Sequence, residues 1–157
     1  MSGQIHYADG VKFPATQVPS SDANTLDDYE EGTWTPAFSS AAGSDGSLAY
    51  TSGGRYTKIG NMVTLTGFLA LSDIGSRTGR VQIIGVPFNC PGGLDFIFAT
   101  VCQNVTLDGT QIMAEIGGVS QSYICLYHVN SGGVLTLVDC SDCSATSYFS
   151  FSGSYFI

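Results

Sequence analysis

The sequence is short of positive charge. Its 157 residues include five cations, Lys12, Arg55, Lys58, Arg77 and Arg80, against thirteen carboxylates, for a formal net charge of −8. Five scattered cations cannot form a stripe that tracks a phosphate backbone, so nucleic-acid binding is not expected, nor is docking on an anionic membrane surface. Long apolar runs are also missing. No stretch of about 18 apolar residues occurs, and the N-terminus lacks a cationic segment followed by an apolar run, so neither membrane insertion nor an export signal is expected. Imidazole is limited to His6 and His128, and indole to Trp34. The five cysteines, Cys90, Cys102, Cys125, Cys140 and Cys143, are an odd set. Without an export signal they are expected to be reduced thiols serving as small buried apolar groups.

Glycine and hydroxyl groups are abundant. Twenty glycines accompany many Ser, Thr, Tyr and Phe residues, and 43% of the chain is hydrophobic. That is too apolar for disorder and suits an all-β protein with a neutral surface, long enough for one core. The clearest local signal is a hairpin. Arg55 to Ile59 alternates, Gly60-Asn61 supplies a two-residue turn that accepts positive φ, and Met62 to Leu71 alternates again. In the second arm Val63, Leu65, Leu69 and Leu71 share one face, and Met62, Thr64, Thr66 and Phe68 the other. Both faces are partly apolar, so a sheet covered on both sides, by a second sheet or by a neighbouring subunit, is expected. Further strands are expected at Thr33–Phe38, Leu48–Thr51, Arg80–Pro87, Leu94–Cys102, Thr110–Ile116, Ser122–Val129, Val134–Val138 and Ser147–Ile157. Loops are expected at Ser39–Gly46, Ser72–Thr78, Asn89–Gly93 and Asp139–Thr146. The sum is an antiparallel β-sandwich, jelly-roll-like, over residues 33–157. Residues 1–32 read as an irregular N-terminal arm and an acidic turn. The arm is apolar (Ile5, Tyr7, Val11, Phe13, Val18) and is expected to be buried against another subunit.

The stretch Leu26-Asp27-Asp28-Tyr29-Glu30-Glu31-Gly32-Thr33-Trp34-Thr35-Pro36 joins the two parts. Thr25 is placed to cap one or two helical turns, with Asp28 at the capping-box position and Gly32 as the stop. The acids must face water or find cations, with Lys58 and Arg55 the candidate partners. Tyr29 and Trp34 each want burial with one hydrogen-bond partner. This run, with Gly10 to Gln17 and Asp22 to Thr25 upstream, Gly54 to Asn61 downstream and Ser152-Gly153-Ser154-Tyr155 near the end, resembles the start and close of C-terminal domains of bacteriophage and prophage tail fibres and tailspikes. Leu71 to Ser147 carries no such resemblance. The resemblance implies a virion tail protein made in the bacterial cytoplasm, a homotrimer, and partners among other tail or virion proteins and a host cell-surface glycan. Phe13, Tyr29 and Trp34 are then candidates for the subunit interface.

Enzymatic chemistry finds little in the sequence. The acids from Asp27 to Glu31 are neighbours on one turn, whereas glycosidase carboxylates flank a bond about 5–9.5 Å apart and usually come from different strands. An EF-hand pattern is absent. Cys140-x-x-Cys143 lacks the second pair that a structural zinc needs and the βαβ setting of a redox motif. His128 sits among Ile124 and Leu126, as a structural histidine would, and no Gly-x-Ser-x-Gly elbow occurs. No catalytic residue, metal or cofactor is therefore expected. Ligand contacts are expected from loops on a rigid sheet, with Asp45, Asp73, Arg77, Asn89, Asp95, Asn130 and Asp142 as candidates. The expected function is non-cleaving attachment to a host polysaccharide. The alternative is a structural component of fibre, baseplate or capsid, suggested by a chain that starts at Met1 close to the motif without a shaft. A depolymerase is disfavoured, because in the family that the chain resembles the cleaving tailspikes usually carry a long β-helix body, which 157 residues cannot hold.

Overall fold

The structure, a computed structural model, describes residues 10–22, 24–44, 46–117 and 120–157. Among these residues the regular elements are ten strands and one 3-10 turn: β1 (Tyr29–Trp34), β2 (Ala37–Ser44), β3 (Ala49–Ile59), β4 (Met62–Asp73), β5 (Ser76–Ile84), β6 (Asp95–Val105), β7 (Gly109–Gly117), β8 (Ser120–Asn130), β9 (Leu135–Leu137), the turn Cys140–Asp142, and β10 (Cys143–Phe156). All strand pairings are antiparallel, in the order β1-β3-β4-β10-β6-β7-β8-β5-β2, with β9 beside β8. Strand β6 serves two layers. Asp95 to Phe98 pair with β7, and Ala99 to Gln103 pair with β10. The ribbon of strands thereby curls over itself into two sheets with one core between them, the sandwich that the alternating pattern predicts.

The core follows from that alternation. Val63, Leu65, Leu69 and Leu71 of β4 and Phe149, Phe151 and Tyr155 of β10 meet Val81 and Ile83 of β5, Ala114 and Ile116 of β7, and Ile124 and Leu126 of β8. Each Val, Leu, Ile or Phe among them contributes about 1.5–3 kcal/mol when taken fully out of water. His128 is buried on the same strand face as Ile124 and Leu126, as expected. The hairpin turns at Gly60-Asn61, with Ile59 opposite Met62 and φ +54° at Gly60, a conformation that glycine adopts without strain.

Five expectations need correction. Thr25 to Gly32 is not helical: the chain is extended, and β1 starts at Tyr29 and pairs with β3 from Ile59 to Gly54. A turn or two of helix is marginal alone, whereas pairing with β3 gives the chain from Tyr29 onward a hydrogen-bond ladder along one edge and brings its acids to partners. Strand β1 crosses the expected boundary at Gly32, so the acidic run belongs to the sheet rather than to the arm. The proposed strand Thr33–Phe38 is broken at Thr35-Pro36, where the chain passes from one sheet to the other. Pro36 lacks the N–H that a continuous ladder requires. The expected strand Leu48–Thr51 and the hairpin arm Arg55 to Ile59 are one strand, β3, which runs through Gly53-Gly54 with Gly53 opposite Phe68 and Gly54 opposite Gly67. Finally, much of the loops Ser39–Gly46 and Ser72–Thr78 is strand: Ala42, Gly43 and Ser44 pair with Thr78, Arg77 and Ser76.

Candidate functional site

Outward-facing positions on β1, β3, β4 and β10 surround a hollow of about 360 Å³, lined by Thr33, Gly53, Gly54, Arg55, Thr66, Gly67, Phe68, Tyr148 and Ser150. Register explains it. Thr33 is opposite Arg55, which is opposite Thr66, while Phe68 is opposite Gly53 on one side and Ser150 on the other. Gly53 lacks the outward side chain that would fill the middle, while Gly54 and Gly67, whose missing side chains would face the core, line the hollow with backbone. Phe68 leans over Gly53, its Cε1 3.2 Å from where a β-carbon there would stand. Phe68 and Tyr148 stack with centroids 6.3 Å apart and planes at 21°. Phe68 is 38% exposed. The sequence pattern already places Phe68 on the polar face of β4, but the partnership with Tyr148, far away in the chain, has no local signal.

A second hollow of about 350 Å³ adjoins the first, lined by Glu31, Gly32, Thr33, Arg55, Tyr56 and Thr57. Thr33 and Arg55 line both. Around them the acidic run is fully engaged. Asp28 forms a buried ion pair with Lys58. Glu30 accepts a hydrogen bond from Tyr56 Oη, and Glu31 accepts one from Tyr29 Oη at 2.9 Å. Both bonds push the tyrosine hydroxyls above their ordinary pKa. Asp27 accepts from Ser20 N at 2.8 Å and Gln17 Nε2 at 3.3 Å, and the bond from Ser20 holds its carboxyl below the usual range. Of the two cations proposed as partners, Lys58 takes an acid, while exposed Arg55 makes no ion pair with a described carboxylate.

The expected loop residues divide between the two ends of the sandwich. Asn89 and Asp95 lie at the Gly60-Asn61 end, Asp95 opposite Gly117 at the start of β6. Asp73, Asn130 and Asp142 lie at the other end, and each is occupied by its own turn. Asp73 accepts from Gly75 N at 2.9 Å, which holds its carboxyl below the usual range. Asn130 Oδ1 accepts from Gly132 N at 3.0 Å and Val134 N at 2.9 Å. Asp142 accepts from Asp139 N at 2.8 Å in a capping box. Arg77 lies within β5, its Nη1 3.4 Å from Ser40 Oγ. Asp45 lies outside the described residues, as do Ile5, His6 and Tyr7. None of the described candidates lines either hollow.

The interface candidates also separate. Trp34 is 6% exposed and lies in the chain's own core, donating from Nε1 to Thr66 O at 3.0 Å, so its side chain is not at the surface. Phe13 and Tyr29 touch, with centroids 6.1 Å apart. Tyr29 begins a cross-strand row, Tyr29–Ile59–Met62–Phe156, whose members are 37–52% exposed. Beyond Phe156 the row meets Phe96 at 6.0 Å. Among the described residues no three of His, Cys, Asp and Glu are grouped to hold a metal ion.

The curled sandwich has a solved counterpart. The crystal structure of the Dettilon tailspike protein (gp208) matches with a TM-score of 0.66 over 82% of this chain, at 22% sequence identity. It shares the fold. The match takes up 24% of the tailspike chain, so this sequence corresponds to about a quarter of that protein. No protein-family model matches the sequence, and no curated protein does.

Proposed function

We propose that the chain is a domain of a phage tail fibre or tailspike, and that it attaches to a host-surface polysaccharide without cleaving it. The tailspike fold supports the setting. The single observation that supports attachment is the outer-face hollow, with stacked Phe68 and Tyr148 beside the hydroxyls of Thr33, Thr66 and Ser150. A sugar ring has an apolar C–H face and a polar rim. The first suits the negative face of an aromatic ring, and the second suits hydroxyl side chains. Binding rather than cleavage is favoured by the acid count. The two hollows together are lined by one carboxylate, Glu31, and that one is hydrogen-bonded to Tyr29. A paired-carboxylate mechanism needs two.

Labelled protein should bind bacterial cells that carry the receptor and lose that binding when the cells are stripped of surface polysaccharide. It should release no reducing ends from that polysaccharide. Cell binding that survives stripping, or steady release of reducing ends, contradicts the reading. Weak contacts at one hollow per chain suffice if three copies act together.

The exposed row from Tyr29 to Phe156 favours a second reading, a structural component of the virion. In that reading the row and the arm meet other copies or other tail proteins. Contiguous exposed apolar side chains of this kind mark interaction surfaces. We place the homotrimer contact there. Deleting residues 1–20, or Met62→Asp, should lower the assembly state seen by light scattering. A trimer unchanged by both excludes the arm and the row from the contact.

A further inference from the structure

We infer that the glycan taken by this face is acidic, and that its carboxylate pairs with Arg55 at the junction of the two hollows. The inference rests on the attachment proposed above for the outer-face hollow. It starts from an imbalance in β1 and β3. Each acid of the run Asp27 to Glu31 is satisfied inside the chain, by Ser20 and Gln17, Lys58, Tyr56 and Tyr29 in turn. Arg55, opposite Thr33 and one strand from Thr66, is left exposed with no carboxylate to pair with among the described residues. Arg80 also has no carboxylate partner among the described residues, but its Nη2 stands 3.1 Å from the Tyr123 hydroxyl, whereas Arg55 lines both hollows. Glu31, which lines the second hollow with Arg55, accepts its hydrogen bond from the Tyr29 hydroxyl.

The surroundings specify what Arg55 can accept. It lines both hollows, so a ligand spanning them passes over its guanidinium. A guanidinium offers a planar fork of N–H donors that a carboxylate fills with two parallel hydrogen bonds. On the β4 side stand Phe68 and Tyr148, a surface for a sugar ring. On the β1 side stand Glu31 and Thr57. Glu31 repels a carboxylate and accepts hydrogen bonds from hydroxyls. The order along the face is therefore an acidic sugar stacked near Phe68 with its carboxylate toward Arg55, followed by a neutral, hydroxyl-rich sugar over Glu31 and Thr57. Each hollow lies at the lower end of the usual size range of small-ligand sites.

The test uses surface polysaccharide extracted from cells that the protein binds, either untouched or with its uronic carboxylates reduced to primary alcohols. Wild type should bind the untouched polymer at least tenfold more tightly than the reduced one. Arg55→Gln should bind both polymers at the lower level, and Arg55→Lys, which keeps the charge and loses the fork, should fall between. Thermal melting of each variant checks that it folds. If wild type binds both polymers equally, or if the untouched polymer that it binds contains no carboxylate, the glycan reading stands and the acidic inference fails. If Arg55→Gln still prefers the untouched polymer, another group reads the acid and the assignment to Arg55 fails. If wild type binds neither polymer, both readings fail.

Discussion

Trp34 and Gly67 share one slot in the core: a β-carbon on Gly67 would stand 2.9 Å from Cζ2 of the indole and 2.8 Å from the ring of Phe151. The slot is a cross-strand row in which Trp34, Gly54, Gly67 and Phe151 are opposite one another on β1, β3, β4 and β10. The ring spends the space of the two glycines and ties its N–H to Thr66 O. Gly67→Ala should therefore destabilise the protein by about 1–3 kcal/mol through overpacking. Trp34→Ala should cost about 3–5 kcal/mol by leaving a cavity. Urea unfolding of each variant checks both. A Gly67→Ala protein as stable as wild type would show that the slot is looser than the contacts indicate.

Asp28 and Lys58 are both under a tenth exposed and pair with each other, with Phe88 5.7 Å from the ammonium as a second neighbour. Removing one partner strands a buried charge. Lys58→Met and Asp28→Leu alone should each cost about 3–5 kcal/mol, and the double variant much less than their sum. A double-mutant cycle in urea reads this. Additive losses would mean that the two charges do not depend on each other.

Glu115 supplies a pH signature. It lies on β7 opposite Ile97, diagonal to Asp95, and burial first and Asp95 second push its carboxyl above the ordinary value. The folded state then holds this proton more tightly than the unfolded state. Its contribution is fully present below the ordinary glutamate pKa and is lost as pH rises through the raised one. Glu115→Gln removes that loss. The urea midpoint of Glu115→Gln relative to wild type should therefore be higher at pH 7 than at pH 4. An equal difference at both pH values would contradict the raised pKa.

Cys143 follows Cys140 in a C-x-x-C spacing, yet burial pushes its thiol up to about 12. At pH 8 its thiolate fraction is then roughly one in ten thousand. Cys90, Cys102 and Cys140 are shifted in the same direction, chiefly by burial. A thiol reagent at pH 8 should leave Cys143 unmodified in the native protein and react with it promptly in urea. Prompt native labelling of Cys143, located by mass spectrometry, would contradict its burial.

Local pattern was enough for the hairpin at Gly60-Asn61 and the inward faces of β4 and β8, because alternation and turn chemistry are local. The pairing of Lys58 with the acidic run was also legible, since buried charge needs a partner and few cations exist. Gly53-Gly54 misled because a glycine pair signals a break unless a distant ring, here Phe68 or Trp34, fills the vacancy. The acidic run misled in the opposite sense: its capping pattern favours a helix that sheet pairing overrides. For the site, polar loop residues were the natural choice, but Asp73, Asn130 and Asp142 spend their oxygens on their own turns. A sequence does not distinguish a side chain that closes its own loop from one that meets a ligand. The residues behind the tail-fibre resemblance, Trp34, Gly54, Lys58, Gly60 and Tyr155, serve packing and turn geometry. Arg55 also belongs to that resemblance, whereas Phe68 and Tyr148, which line the outer hollow with it, lie outside it.

Adsorption blocking tests the central claim most directly. Host cells are incubated with purified wild type, with Phe68→Ser/Tyr148→Ser, or with Asn89→Ala before a phage carrying this chain is added. Wild type and Asn89→Ala should protect the cells in proportion to dose, and the double variant should need at least ten times the concentration. Equal protection by a well-folded double variant, or no protection by wild type, would contradict attachment through the Phe68–Tyr148 hollow.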